Sequence, residues 1–255
     1  MDPDVSPSGI REFFDDVSET DVSLVTINRT QPKPVQDLLA EAFSMQSIEL
    51  VEQSLPRDDA DDLLALRKRG EITAVSSLQE VMQSFLLLNA DRFRTGTEGF
   101  DSDIPDVFKG MDETLFDLRG YPASNKEKLL LVLISRHIER LAYKRGDGRL
   151  RATFQRLSRL EDELGTKKVY ERLAGRTVDV HVYGVPDGGP RGLDATVHTG
   201  TTDEYRNSWC VCFNPPDESG AALIAHQQEP NRWEGFWTYD AETVAQIDDY
   251  LANSF

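Results

Sequence analysis

The chain has 255 residues, and its 45 acidic against 28 basic side chains leave a formal net charge of −17. That length suits one large or two small domains, and a hydrophobic fraction of 39% supports a packed core and excludes a wholly disordered chain. The longest apolar run, residues 129–134, is far short of the roughly 20 residues of a membrane-spanning helix, the start Met1-Asp2-Pro3-Asp4 lacks a signal-peptide pattern, and Cys210 and Cys212 are too few for a disulfide framework, so a cytoplasmic protein with reduced thiols is expected.

An acidic first helix is expected around residues 10–17. Residues 21–28 alternate Val22, Leu24 and Thr26 against Ser23, Val25 and Ile27, the pattern of a buried strand. Pro34 in a helical first turn precedes Val35, Leu38, Leu39 and Ala42, the spacing of an amphipathic helix. A second strand–helix pair is expected at residues 47–53 and 59–69, the helix ending at a left-handed Gly70. A short strand at residues 72–75 leads to Ser77-Leu78-Gln79-Glu80, a capping box that opens a helix bearing Val81, Met82, Phe85 and Leu88.

Residues 94–112 show no sustained period and read as a long connection. Ser124-Asn125-Lys126-Glu127 is a second capping box, and the helix that it opens, running to about residue 144, is apolar on so many sides that it belongs at the centre of a core. Arg145-Gly146-Asp147-Gly148 then turns the chain into a strand at residues 149–157, followed by a helix at 167–174. The remainder is β-rich. Val178, Val180 and Val182 alternate with Asp179, His181 and Tyr183, and further strands are expected at residues 195–198, 208–213, 221–227 and 232–239. Short connections make the last three an antiparallel meander, and Asp240 caps a final helix with Val244, Ile247 and Leu251 against that sheet. The predicted class is α+β: an N-terminal α/β lobe, residues 1–112, then over residues 113–255 a long helix and a mainly antiparallel sheet covered by helices.

Charge is distributed unevenly. Lysines number 8, arginines 20 and aspartates 26, a carboxylate-rich, lysine-poor surface that fits a salt-adapted, halophilic cytosol, with an ordinary acidic protein as the alternative. The net charge is −14 over residues 1–125, +7 over 126–176 and −10 over 177–255. The basic segment sets Arg149, Arg151, Arg156, Arg159 and Arg172 beside Phe154 and Tyr170, a mixture that suits phosphates and bases. The acidic flanks would repel a polyanion, so internal salt bridges or an acidic partner surface are the preferred use.

Catalytic motifs are missing: the chain has no G-x-S-x-G, phosphate-binding loop, H-E-x-x-H or dinucleotide fingerprint. His137 lies in Ser135-Arg136-His137-Ile138-Glu139-Arg140-Leu141, superficially a phospho-acceptor box, but Ile138 displaces the acidic neighbour and no nucleotide pocket follows. A histidine at the edge of a buried helix face is the preferred reading. His181, His198 and His226 fall on strands without the tight spacing of a zinc site, so no metal is expected. Trp209, Val211 and Phe213 share one strand face, as do Trp233, Gly235, Trp237 and Tyr239. With Tyr183 and His181 they would line a concave pocket, or else pack as core under the final helix.

The run Gly148-Arg149-Leu150-Arg151-Ala152-Thr153-Phe154-Gln155-Arg156-Leu157-Ser158-Arg159-Leu160 resembles a signature of the DICT sensory domain family. Matching blocks stand in the same order at residues 134–139, Val169-Tyr170-Glu171-Arg172-Leu173, Val180-His181-Val182-Tyr183-Gly184-Val185-Pro186-Asp187, Ser208-Trp209, Ala221-Ala222-Leu223 and Trp233-Glu234-Gly235-Phe236-Trp237-Thr238-Tyr239-Asp240. The resemblance covers residues 124–252. It implies a cytoplasmic, non-enzymatic α+β signal-input module for light-linked or other environmental responses, with no established ligand or cofactor. The whole chain also looks like stand-alone haloarchaeal members, without the cyclase or kinase output to which such domains are fused, and this implies action through a signalling partner.

The leading expectation is therefore a sensory protein with a ligand or partner site at Gln155, Arg159, Tyr183, Trp209 and Trp237, which combine polar handles with aromatic walls. The alternative is a nucleic-acid-associated regulator using residues 126–176, and a third reading is phosphotransfer at His137.

Overall fold

The alternation over residues 21–28 produces β1 (Val22–Ile27), which pairs in parallel with β2 (Glu49–Gln53) and antiparallel with β3 (Leu63–Lys68). β4 (Glu71–Ser77) closes the order β2-β1-β3-β4. Strand β3 corrects the helix expected at residues 59–69. Leu64 and Leu66 point into the main core, while Leu63 and Ala65 join Val25, Ile27 and Val51 on the other face. A short run buried on both faces is equally readable as helix or strand, and its periodicity does not arbitrate. Gly70 is left-handed as expected, φ 83°, but with Arg69 at φ 52° it forms the two-residue turn of the β3–β4 hairpin.

The computed structural model describes residues 7, 9–15, 17, 21–28, 30, 49–54, 62–89, 103–119, 129–162, 166–217, 220–230 and 232–255. The helix expected from Pro34 and the capping box at Ser124 lie outside them. The expected first helix is one turn, α1 (Glu12–Asp15). The Ser77 box is made: Glu80 N donates to Ser77 Oγ and Ser77 N to Glu80 Oε2, both at 3.1 Å, opening α2 (Leu78–Asn89). Within the expected connection a further turn of helix forms, α3 (Asp106–Lys109), with Val107 and Phe108 fully buried, and β5 (Phe116–Arg119) follows.

The long helix is α4 (Leu129–Arg145). It leads through Gly146 into β6 (Asp147–Arg156), and Gly148 at φ 95° has no room for a side chain, since a Cβ there would meet Pro215 Cα at 2.9 Å. Helices α5 (Arg159–Asp162) and α6 (Thr166–Ala174) form the crossover that lets β7 (Thr177–Val185) pair in parallel with β6. After β8 (Thr196–Thr199) and α7 (Asp203–Asn207) comes the expected meander of β9 (Ser208–Asn214), β10 (Ala221–Glu229) and β11 (Arg232–Thr238). The final helix is α8 (Ala241–Ser254). The second sheet has the order β5-β11-β10-β9-β6-β7-β8, antiparallel except for the parallel pairs β6–β7 and β7–β8.

Its two faces bury different helices. Leu150, Val180, Val182, Val211, Phe213, Leu223, Trp233 and Trp237 point toward α4 and share one continuous core with Leu24, Leu64 and Leu66 of the first sheet. Cys210, Cys212, Ala222, Ile224 and Phe236 point the other way, where Val244, Ile247, Tyr250 and Leu251 of α8 cover them with Phe13 and Phe14 of α1. Each such large apolar side chain contributes roughly 1.5–3 kcal/mol on burial. The aromatic face thus packs under the long helix rather than the final one. Strand alternation defines two faces; which helix covers each is decided by the crossover.

Candidate functional site

The β6–β9 ladder runs from Arg149↔Asn214 to Ala152↔Val211 and then opens. Thr153 replaces the missing backbone pairing: its Oγ1 donates to Ser208 O at 3.1 Å and accepts from Cys210 N at 2.8 Å. Two residues on, Gln155 adopts φ 55°, and the β6–β7 register shifts between Thr153 and Arg156. A bulge of this kind bends the strand and re-aims its side chains. Helices α4 and α6 roof the gap, leaving a cavity of about 50 Å³.

Its apolar walls are Val132, Phe154, Trp209 and Val211. The polar wall is a buried chain of hydrogen bonds. Tyr170 donates its hydroxyl to Glu139 Oε1 at 2.9 Å, Arg136 donates to Glu139 Oε2 at 2.6 Å and to Thr166 Oγ1 at 2.8 Å, and Trp209 Nε1 donates to Ser135 Oγ at 3.0 Å. Burial, reinforced by the Glu139 charge, pushes the Tyr170 hydroxyl well above its usual range, so it stays a neutral donor. Arg159 donates to Gln155 Oε1. Since a guanidinium can only donate, this bond fixes the amide orientation and leaves Nε2 as the other end. Gln155 is 6% exposed and its Nε2 has no hydrogen-bond partner.

Of the five expected residues, Gln155, Arg159 and Trp209 meet at this cavity. Tyr183 does not, because β7 alternation sends Val180 and Val182 toward α4 and Tyr183 to the opposite face. There Arg151 donates to its hydroxyl at 2.6 Å, and the ring stacks on His198 at 4.3 Å. Trp237 shares the correct face but sits on β11, two strands from β9, packed against Phe116 at 5.8 Å. Arg136, Glu139 and Tyr170 were missed. A readable signal existed: Arg136 and Glu139 stand at i, i+3 within a helix that is otherwise apolar on most sides, and charges at buried helix positions need partners.

The histidines divide as well. His181 Nδ1 lies 2.9 Å from His198 Nε2, and Asp179 holds His181 Nε2 at 3.0 Å; His226 is elsewhere, on β10. Among the described residues no cluster of three His, Cys, Asp or Glu side chains could hold a metal ion. His137 is 6% exposed, with Asp103 at 3.8 Å. The arginines of the basic segment spread over both faces of the sheet and reach carboxylates of the acidic flanks: Arg140 binds Asp103 at 2.6 Å, and Arg151 and Arg149 both bind the fully buried Asp248. A larger cleft of about 650 Å³ separates the β3–β4 hairpin from the start of α8. It carries charges of both signs, with Lys68 tied to Asp112 at 3.1 Å, and none of the buried unpartnered polar atoms lies on it.

Among curated proteins no sequence matches the chain. A solved structure that it resembles is polyphosphate kinase from Porphyromonas gingivalis, at 14% identity and a TM-score of 0.33. The match covers 95% of this chain and 47% of that one, so this chain spans about half of that protein's length, and a TM-score so low carries no weight for fold or activity. Residues 106–228 match the family described as the sensory domain in diguanylate cyclases and two-component systems, DICT. That span runs from α3 into β10, starting and ending upstream of the limits of the sequence resemblance at residues 124–252, and contains every residue lining the 50 Å³ cavity. Residues 106–228 of the chain, just under half of it, thus match the DICT family of sensory domains.

Proposed function

We propose that this protein is a non-enzymatic cytoplasmic sensor in which the cavity between α4, α6 and the parted strands β6 and β9 receives a small-molecule input and a protein partner takes the output. The observation that carries the reading is Gln155, which lines the cavity within the segment that matches a sensory domain and whose buried Nε2 donor has no hydrogen-bond partner. A buried unsatisfied donor costs roughly 1–3 kcal/mol, and a bound acceptor would remove that cost. Helix α4 is suited to relay the event. It faces the cavity with Val132, Ser135, Arg136 and Glu139, and through Leu131 and Ile134 it shares the core of Leu78, Val81 and the first sheet. No described helix is long and apolar enough to cross a membrane. Arginines already bound to flank carboxylates weigh against the nucleic-acid reading.

Native mass spectrometry of the chain purified from its source cells tests this. The expected result is a small molecule held by the wild-type chain and absent from Gln155→Glu. A bare chain under all purification conditions, with no melting shift on adding cell metabolite extract, overturns it.

A further inference from the structure

We propose that Asp179, His181 and His198 form a pH-sensitive latch that holds the edge strand β8 on the sheet and releases it when both imidazoles are protonated, giving the sensory segment a second input, acidity. The latch lies on the sheet face opposite the cavity and needs no ligand, so it stands or falls independently of the ligand reading. Strand β8 ends the second sheet and, among the described residues, pairs with β7 alone. None of its four residues is buried, and Val197 is 40% exposed, so apolar packing contributes little to holding it. Besides the ladder it has His198, whose ring stacks on Tyr183 at 4.3 Å and whose Nε2 meets His181 Nδ1 at 2.9 Å. The centroids of the two imidazoles are 5.2 Å apart and their planes 20° from parallel. That separation exceeds the nitrogen–nitrogen contact by about a ring diameter, so the rings lie end to end and the contact is a straight N–H···N hydrogen bond.

The number of protons in this chain is fixed by its ends. The Asp179 carboxylate only accepts, so His181 Nε2, 3.0 Å away, carries a hydrogen and a neutral His181 presents Nδ1 as a lone pair. His198 then donates from Nε2, which leaves its own Nδ1 bare. One added proton enters there and breaks nothing. A second puts hydrogens on both facing nitrogens, and the bond becomes a contact between two cations. The surroundings do not offset that charge. On β6, Arg151 donates to the Tyr183 hydroxyl at 2.6 Å, and Arg151 and Arg149, the latter opposite Asp179 in register, both bind Asp248 of α8. On α7, Arg206 donates to Thr201 O at 3.1 Å, Glu204 accepts from Ser208 Oγ at 3.4 Å, and Tyr205 donates to the main-chain oxygen of Phe255, whose ring meets Tyr183 edge-on. Burial, then the charges of His181 and Arg151, hold His198 below the usual histidine range. The latch is therefore complete above about pH 6.5 and is lost as pH falls below it.

Hydrogen exchange of the full chain, followed by NMR at single amides and corrected for intrinsic rates, tests this. Opening of residues 196–199 should rise about tenfold between pH 6 and pH 5, one extra proton being taken up per opening. Amides of β9 and β10 should exchange more slowly than those of β8 at each pH, which marks the opening as local. In His198→Phe, which keeps a ring on Tyr183 but neither donates nor takes a proton, β8 should open equally at both pH values. No pH dependence in the wild-type chain, the same dependence in His198→Phe, or β8 exchanging at the rate of β9 and β10 overturns the latch. Imidazole nitrogen shifts of the wild-type chain at pH 8 test the wiring without any variant: both rings should carry hydrogen on Nε2 alone, and a hydrogen on Nδ1 of either ring overturns it.

Discussion

Burial sets the protonation of single groups in this molecule. At His137 desolvation, only partly opposed by Asp103, pushes the imidazole down to about 4. The folded ring is neutral while the unfolded chain takes a proton near pH 6.5. Stability is therefore complete above pH 6.5 and is lost as pH falls toward 4, by about 3 kcal/mol over that interval. His198 and His226, lowered by burial as well, act in the same direction. Melting temperature should fall from pH 6.5 to 4, with a shallower slope in His137→Gln. At Asp248 burial alone would raise the carboxyl, but hydrogen bonds from Arg149 and Asn214 and the hydrogen bond and charge of Arg151 hold it below its usual range. Its contribution is present above the ordinary carboxylate pKa and fades as pH drops through the lower folded value. Asp248→Asn leaves Arg151 buried without its counter-charge, and urea unfolding should show a loss of about 3–5 kcal/mol.

Among the elements, the parting of β6 and β9 depends on one hydroxyl. Thr153→Val keeps the shape but leaves the backbone N of the fully buried Cys210 without its acceptor. A loss of about 1–3 kcal/mol is expected in denaturant unfolding. Helix α8 begins at Asp240, whose Oδ1 accepts from Thr243 N at 2.8 Å. Asp240→Ala should cost about 1 kcal/mol, a melting shift of about 2–4 °C for a chain of this size. An unchanged midpoint would show that packing of Val244, Ile247 and Leu251 alone holds the helix start.

Across the whole molecule, a net charge of −17 makes the folded chain repel itself in dilute buffer. The Debye length is about 30 Å at 0.01 M salt and about 3 Å at 1 M, so added salt removes repulsion between distant carboxylates while buried pairs such as Arg151–Asp248 are little affected. The melting midpoint should rise from millimolar to molar potassium chloride. A flat or falling midpoint would show that pairing of the basic segment with both flanks already cancels the repulsion.

What the sequence determined by itself is whatever depends on neighbours in the chain. Alternation, the Ser77 and Asp240 caps and the apolar helix at residues 129–145 each follow from residues within a few positions, and each is present in the structure. The DICT blocks up to residue 228, being contiguous, were legible too. Tertiary structure decided what depends on register and crossover. The run Leu63-Leu64-Ala65-Leu66 became a strand because cores lie on both its sides. Gln155, Arg159 and Trp209 converged, while Tyr183 went to the other face and Trp237 to another strand. No spacing in the chain encodes where two strands part, and the cavity exists only because Thr153 holds β6 and β9 at that point while α4 and α6 close over it.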